Sequence, residues 1–186
     1  MSKRDQILET ALGLFVEQGI AATATAQIAK QAGVATGTLF HHFPSKADLV
    51  AALYLGVKAQ LADAMAAEAA EGTLADQARQ YWERGLDWAL SHPGALQFLQ
   101  LVGLQGHEDT QLRHQAISEL LPFVPALLAR GQAEGVLRPV PADLALEQCH
   151  SQFMSAAAFF IAQPEHARDS QYRESAFALF WHSLAY

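Results

Sequence analysis

Residues 23–46, TATAQIAKQAGVATGTLFHHFPSK, decide the fold. Three apolar positions, Ile28, Ala29 and Ala32, place one face of a first short helix towards a core. Gly33 then reverses the chain, because glycine adopts a left-handed backbone conformation without steric cost. We therefore expect this helix to end in a tight turn.

A second short helix follows the turn and begins near residue 35 or 36. Leu39 and Phe43 are its apolar positions, so we expect them to anchor it on the core. Pro44 ends it, because proline disfavours helical geometry in the preceding residue, and Ser45 can cap the next helix. Two short helices joined by a tight turn are the plan of a helix-turn-helix, whose second helix enters the major groove of DNA.

The surroundings of this motif add to the signal. An amphipathic helix is predicted over residues 3–18, ending at Gly19, and the motif continues with GTLFHHF at 37–43 and SKADL at 45–49. In this order the segments closely resemble the DNA-binding domain of TetR-family transcriptional regulators. The resemblance covers roughly residues 5–50, and the remainder is similar to the family only in length and helical character.

Two helix starts depart from the family pattern. The family usually has Thr or Ser where Ala24 stands, and Ser where Ala35 stands. Losing a good cap costs about 1 kcal/mol. We expect shifted caps, with Thr23 or Thr25 serving the first motif helix and Thr36 the second.

The predicted recognition helix, residues 36–42, carries most of the candidate DNA contacts. Thr36, Thr38 and Phe40 are candidates for base edges or thymine methyl groups. The resembled family usually has tyrosine at Phe40, and phenylalanine cannot make a phosphate hydrogen bond. Phosphate candidates are Thr25, Gln27, His41 and Lys46. The predicted DNA-binding set is Thr25, Gln27, Ala35, Thr36, Gly37, Thr38, Phe40, His41 and Lys46.

The net charge of −7 is distributed unevenly along the chain. Residues 1–48 hold four basic and four acidic residues, whereas residues 49–186 carry the whole acidic excess. A neutral motif domain is expected to bind random DNA weakly and to depend on paired, sequence-specific contacts.

Several classes of protein are disfavoured. Cys149 is the single cysteine, so no intrachain disulfide is possible and a cytoplasmic setting is natural. The sequence shows no zinc spacing, catalytic triad or phosphate loop, and we expect no signal peptide. His41 and His42 point about 100° apart on a helix, so we do not expect them to share a metal. The longest nearly apolar stretch, residues 153–162, is about half a membrane span. We expect no membrane contact, metal, cofactor or enzymatic activity.

The rest of the chain predicts helices without strand-like alternation. Helical patterns cover residues 45–71, a segment capped by Thr73, residues 95–104, residues 108–132 with interruptions at Pro122 and Pro125, and residues 142–163 and 170–185. The prediction is an all-α fold with a three-helix helix-turn-helix domain (1–47) and a helical ligand-binding and dimerisation bundle (48–186).

The last two predicted helices are apolar on more than one face, so both sides must be covered. One side can be the chain's own core and the other a second copy, and the resemblance also implies a two-fold four-helix interface. The alternative is that both are central core helices. Candidate interface residues are Phe153, Ala157, Phe160, Tyr172, Ala176 and Phe180.

Aromatic residues of the middle helices could line an apolar pocket with a few polar groups. The alternative is that they form an ordinary core. Candidate pocket residues are Trp82, Trp88, Phe98, Phe123, His150 and Phe153.

These patterns favour a homodimeric regulator, expected to be a repressor, that binds a palindromic operator in double-stranded DNA. A small apolar or amphipathic effector would release it. The alternative is a helical small-molecule carrier or sensor whose motif domain no longer binds DNA.

Overall fold

The structure, a computed structural model, describes residues 2–103 and 107–186. Within these ranges the chain is helical without β-strands, apart from an isolated bridge between Leu137 and Ala185, which confirms the all-α prediction. The helices are α1 Lys3–Gln18, α2 Thr25–Gln31, α3 Thr36–His42, α4 Lys46–Met65, α5 Leu74–Ser91, α6 Pro93–Gly103, α7 His107–Leu120, α8 Phe123–Ala133, α9 Ala142–Ala162, α10 Pro164–Ala167 and α11 Ser170–Leu184.

The helices form two compact units. The first unit contains Met1–Lys58 and Gly94–Arg113, and the second contains Ala59–Pro93 and His114–Tyr186. This division is based on how the helices pack. The predicted boundary between residues 47 and 48 instead divides the chain by function, so the packing does not test it and it stays a prediction.

Local signals place several helix ends as predicted. Gly19 and Gly33 have φ of 82° and 67° after α1 and α2, in the left-handed region that favours glycine. The Asp48 amide donates to Ser45 Oγ (3.1 Å) at the start of α4, and the Asp76 amide donates to Thr73 Oγ1 (3.2 Å) at the start of α5. These bonds satisfy amides that have no partner inside the helix.

The predicted shifted caps are wrong. Ala24 and Ala35 are themselves the N-cap residues of α2 and α3, and neither helix has a side-chain cap. Thr23 is fully buried, and its hydroxyl donates to the Gly19 carbonyl (2.7 Å). Thr23 therefore closes the turn between α1 and α2 instead of capping α2.

Helix α4 ends at Met65, six residues before the predicted end at residue 71. The guanidinium of Arg84 donates to the carbonyls of Met65 (3.2 Å) and Glu68 (2.6 Å), and Gln80 Nε2 donates to the Glu71 carbonyl (2.8 Å). Side chains of α5 thus supply hydrogen bonds to backbone carbonyls that have no helical partner after α4 ends.

The connections in the second half of the chain mostly follow the prolines. Pro122 separates α7 from α8, as predicted, and Pro125 lies in the first turn of α8, where a missing N–H is tolerated. Helix α10, which begins at Pro164, was not predicted. The predicted end of α6 at residue 104 lies outside the described residues. In the described ranges, no helix is long and apolar enough to cross a bilayer.

Helix α5 contacts α9 closely at Gly85. A Cβ added at Gly85 would lie 2.9 Å from Cε2 and 3.1 Å from Cζ of Phe153. On another side of α5, Arg173 of α11 donates from Nε to Glu83 (2.7 Å) and from Nη2 to Asp87 (2.7 Å). Apolar packing and a charged clamp therefore hold α5 from two sides.

We predict that Gly85→Ala destabilises the protein. Overpacking against Phe153 costs about 1–3 kcal/mol, and the better helix propensity of alanine offsets about 1 kcal/mol of it. Urea unfolding measures the difference. Gly13→Ala is the matched control, because Gly13 lies within α1 with no atom near its Cβ position, so we expect it to stabilise by about 0.5–1 kcal/mol. Equal stabilisation by both substitutions would contradict the close approach.

Candidate nucleic-acid interface

Helix α3 has one buried face and one exposed face. Leu39 and Phe43 are 0% and 2% exposed, which confirms them as core residues, whereas Phe40 is 42% exposed. The predicted DNA-binding residues on the open side of α3 are Ala35, Thr36, Gly37, Phe40 and His41, and all five are exposed. The core contacts thus hold the helix so that its polar face is accessible.

The other predicted DNA contacts are half-buried: Thr25, Gln27, Thr38 and Lys46. The ammonium of Lys46 donates to the Ala21 carbonyl (3.1 Å), so it also fixes the turn between α1 and α2. An ammonium has three donors, so two remain for a phosphate. The structure brings all nine predicted residues into the first unit.

Arg4 is a basic residue beside the motif that the sequence prediction missed. Its guanidinium carbon lies 5.4 Å from the centroid of the Phe43 ring, next to the end of α3. Such cation–π contacts contribute about 0.5–1 kcal/mol at exposed sites. The side chain is exposed, and its position in the first turn of α1 was the available signal.

Two of the acidic residues near the motif serve as helix caps. Asp5 accepts a hydrogen bond from the Ser2 amide (3.0 Å), and the hydrogen bonds with Ser2 lower the pKa of Asp5. Asp48 accepts from the Ser45 hydroxyl (2.6 Å). Both carboxylates lie at helix N-termini, where the helix dipole partly balances their charge.

A second candidate site is the aromatic cluster of the second unit, which consists of Trp82, Phe153, Phe177 and Phe180. The indole of Trp82 stacks on Phe180 (centroids 4.7 Å apart) and meets the edges of Phe153 (5.8 Å) and Phe177 (6.3 Å). Among the described residues, Trp82 Nε1 is the buried side-chain polar atom that has no hydrogen-bond partner. An unpaired buried donor costs about 1–3 kcal/mol.

The structure corrects the predicted pocket group. Phe98 is fully buried in the first unit and stacks on Phe15 (6.0 Å) instead of joining the aromatic cluster. Trp88 stacks on His92 (5.0 Å), and Phe123 packs on Tyr81 (4.6 Å). His150 is half-buried on α9. Of the predicted group, Trp82 and Phe153 are in ring contact with each other. Phe98 and Phe123 lie on other helices, and Trp88 lies on a different face of α5 from Trp82.

The structure also corrects the predicted interface residues. Ala157 and Phe160 are 0% and 1% exposed, so their own unit covers them. Phe153 and Phe180 belong to the aromatic cluster, Ala176 is half-buried, and Tyr172 is exposed. The prediction missed the exposed apolar side chains of Leu144, Phe159 and Leu179, because periodicity alone does not say which side of an all-round apolar helix the core covers.

Two further titratable groups, one half-buried and one buried, lie outside both candidate sites. Cys149 is half-buried, and desolvation raises the pKa of its thiol to about 12, so the thiol is protonated at neutral pH. Burial, together with the positive charge of Arg113, lowers the pKa of Lys58 to about 8. Lys58 Nζ lies 5.7 Å from the centroid of the Tyr54 ring.

Comparison with known proteins gives matches at both levels, sequence and structure. The family model for bacterial regulatory proteins of the tetR family matches residues 7–53. The crystal structure of a TetR family transcription regulator from Shewanella sp. PV-4 is 43% identical, with a TM-score of 0.96 and 100% coverage of both chains.

Curated relatives match over part of the chain. The HTH-type transcriptional repressor KstR2 of Mycobacterium tuberculosis is 44% identical over 55 residues, which cover 30% of this chain and 28% of the relative. The HTH-type transcriptional regulator SrpR of Pseudomonas putida is 29% identical over 149 residues, which cover 76% of this chain and 66% of the relative. The chain thus spans less than two thirds of the length of either curated relative.

The full-length similarity to the Shewanella protein and the match of the motif to the family model agree with the exposed recognition helix. The chain belongs to the TetR family of bacterial transcriptional regulators.

Proposed function

We propose that the protein is a ligand-responsive repressor that binds a near-palindromic operator as a homodimer and leaves it when a small effector binds. The observation that carries the proposal is the anchoring of α3, which buries Leu39 and Phe43 and leaves Thr36, Phe40 and His41 exposed. The family consists of regulators and not of enzymes, and the KstR2 relatives are named as repressors, which favours repression.

In this proposal the exposed side of α3 reads bases in the major groove. Threonine hydroxyls at Thr36 and Thr38 donate to or accept from base edges, and the exposed Phe40 ring contacts a thymine methyl group. Phosphates are bound by Lys46 and His41, with Arg4 as an additional cation beside the helix. A motif domain without net positive charge depends on this reading of bases, because non-specific attraction to DNA is weak.

The homodimer is proposed to form through α9 and α11. Their exposed large apolar side chains are Leu144, Phe159, Tyr172 and Leu179. An open groove of about 530 Å³ on α11 is lined by Ser175, Ala178, Leu179, His182 and Ser183. Covering such apolar surface with a second copy stabilises by about 25 cal/mol per Å² removed from water, and a two-fold protein presents two equivalent recognition helices.

The effector is proposed to be a small apolar or amphipathic molecule that binds in the second unit. It releases operator DNA because the two binding sites are coupled. If bound DNA lowers the affinity for the effector by some factor, bound effector lowers the affinity for DNA by the same factor.

The alternative, a carrier or sensor without DNA binding, is tested by a gel shift with the DNA upstream of the protein's own gene. Absence of a specific complex would favour the carrier.

Base and phosphate roles give different binding profiles. We predict that Thr38→Ala weakens the preference for the correct base at one position of each half-site, by about 1–3 kcal/mol. Lys46→Gln weakens binding to all sequences and lowers the salt slope by about 1 per half-site. Binding is measured by fluorescence anisotropy on a set of operator variants at several salt concentrations.

Lys30→Gln is the charge-matched control for Lys46→Gln, since Lys30 is an exposed lysine of α2 with the same formal charge. Indistinguishable losses for the two lysine variants, or a loss for Thr38→Ala that is uniform over all sequences, would contradict the assigned roles.

The proposed dimer surface is tested at Leu179, which is 75% exposed, so a charge there leaves the fold of one chain intact. We predict that Leu179→Glu shifts the species from about twice 20.2 kDa to 20.2 kDa, because an unpaired charge would be buried in the interface. Sedimentation velocity measures the mass. Val136→Glu, at an exposed apolar residue outside α9 and α11, is the control. A monomeric unaltered protein at micromolar concentration would refute the dimer.

A further inference from the structure

Phe40 places an apolar ring in the middle of the exposed face of α3. The residue is 42% exposed, and none of the ring-stacking and cation–π contacts in the described part of the chain involves it. Leu39 and Phe43, on the buried face of the helix, are 0% and 2% exposed. The core therefore holds α3 so that a ring without any hydrogen-bonding atom lies on the face that a DNA-reading helix presents to base edges.

The helix surface beside this ring is open. Gly37 lies one turn before Phe40 and on the same side of α3, since residues three apart are neighbours on a helix surface. Gly37 is exposed, and a Cβ added there would have no atom within 4 Å. A group in the major groove can therefore approach the backbone at Gly37 and contact the Phe40 ring with no side chain at position 37 in its way.

The chemistry of the ring selects one kind of partner. Base edges in the major groove present hydrogen-bond donors, hydrogen-bond acceptors and, at thymine, the C5-methyl group. A phenyl ring cannot pair with a donor or an acceptor, and covering such a group leaves it unsatisfied, which costs free energy. The methyl group is the apolar partner that the ring can cover, whereas a hydrogen atom at C5 leaves a gap that lacks these contacts.

The same argument applies to every pyrimidine that carries a methyl group at C5. 5-Methylcytosine has this methyl group at the same ring position as thymine. It differs from thymine at C4, where an amino donor replaces the carbonyl acceptor. The Phe40 ring has no polar atom that distinguishes the donor from the acceptor by a hydrogen bond, so we expect it to accept both bases.

We propose that Phe40 makes DNA binding depend on a C5-methyl group at one pyrimidine of each half-site, so that methylation of a cytosine at this position strengthens binding. The inference rests on the proposed function, in which α3 reads the major groove of an operator. It adds a chemical modification of the DNA that regulates the same site, and it makes Phe40 the specificity-determining residue for the methyl group.

The test uses the unaltered full chain and a duplex that it binds specifically, selected from a random pool of DNA duplexes. Each thymine position of the half-site is replaced in turn by uracil, cytosine or 5-methylcytosine, in both half-sites together and with the matching purine opposite. Thymine and uracil form one pair that differs in the C5-methyl group alone, and 5-methylcytosine and cytosine form a second such pair.

At the position that Phe40 contacts, we expect loss of the methyl group to weaken binding by about fourfold per half-site in both pairs, because burial of one methyl group contributes about this factor. Fluorescence anisotropy at one fixed salt concentration measures the affinities. Equal affinity for thymine and uracil at every position would overturn the proposal. Equal affinity for cytosine and 5-methylcytosine at the position where uracil weakens binding would overturn the response to methylation.

Substitution of Phe40 assigns the methyl contact to this ring. Phe40→Ala removes an exposed side chain, so the fold is retained, and we expect this variant to bind the thymine and uracil duplexes equally at that position. His41→Ala is the matched comparison, because it removes the adjacent exposed ring, which has a proposed phosphate contact. We expect it to weaken binding to all four duplexes and to keep the fourfold ratios. A methyl effect that persists in Phe40→Ala would contradict the assignment.

A photochemical cross-link makes the same assignment without a variant, and it decides the question if Phe40→Ala binds too weakly for comparison. 5-Iodouracil carries iodine in place of the thymine methyl group, and irradiation joins C5 to an aromatic side chain in contact with it, with loss of hydrogen iodide. Trypsin then releases residues 31–46 as one peptide, and fragmentation in the mass spectrometer locates the cross-link. We expect it at Phe40, and a cross-link at any other residue would refute the contact.

Formation of the specific complex separates this inference from the proposed function. A random pool that yields no specific sequence would refute operator binding and the methyl contact together. A specific sequence whose affinity does not change with any replacement of thymine by uracil would refute the methyl contact alone and leave the DNA-binding function standing.

Discussion

The close approach of α5 to α9 at Gly85 is the constraint on which the second unit depends. Because Gly85 has no side chain, the Phe153 ring can lie against the helix and reach the indole of Trp82. Other faces of α5 are used as well: Arg84 donates to the carbonyl of Met65, the last residue of α4, and Arg173 of α11 binds the carboxylates of Glu83 and Asp87. A shift of α5 would therefore disturb apolar packing, a helix end and an ion pair together.

In the first unit the main constraint is the seven-residue helix α3, which must be held in place while one of its faces stays exposed. Such a short helix is not stable by itself in water, so its orientation comes from the buried Leu39 and Phe43. The turn between α1 and α2 is closed by Thr23 and Lys46, which donate to the carbonyls of Gly19 and Ala21. These two bonds stabilise the irregular backbone between α1 and α2 in the absence of side-chain caps on α2 and α3.

The distribution of charge and apolar surface fits separate roles for the two units. The motif segment is neutral while the rest of the chain is acidic, so in the proposed function short-range contacts, and not long-range attraction, select the DNA site. The exposed large apolar side chains of α9 and α11 all lie in the second unit. Most soluble oligomers are closed and symmetric, and the two-fold homodimer that we propose would double the number of base contacts.

Sequence alone determined the features that depend on neighbouring residues. Glycine at a left-handed turn, proline at the break before Phe123 and the reciprocal cap of Thr73 act within a few positions, so the helices and the recognition motif were predictable. Only the tertiary structure decided features that join distant residues. Arg84 bonds to carbonyls at and beyond the end of α4, Phe98 joins the core of the first unit, and Phe160 is covered by its own chain. The unpaired indole of Trp82 belongs to this second group, because whether a donor is satisfied depends on every residue packed around it.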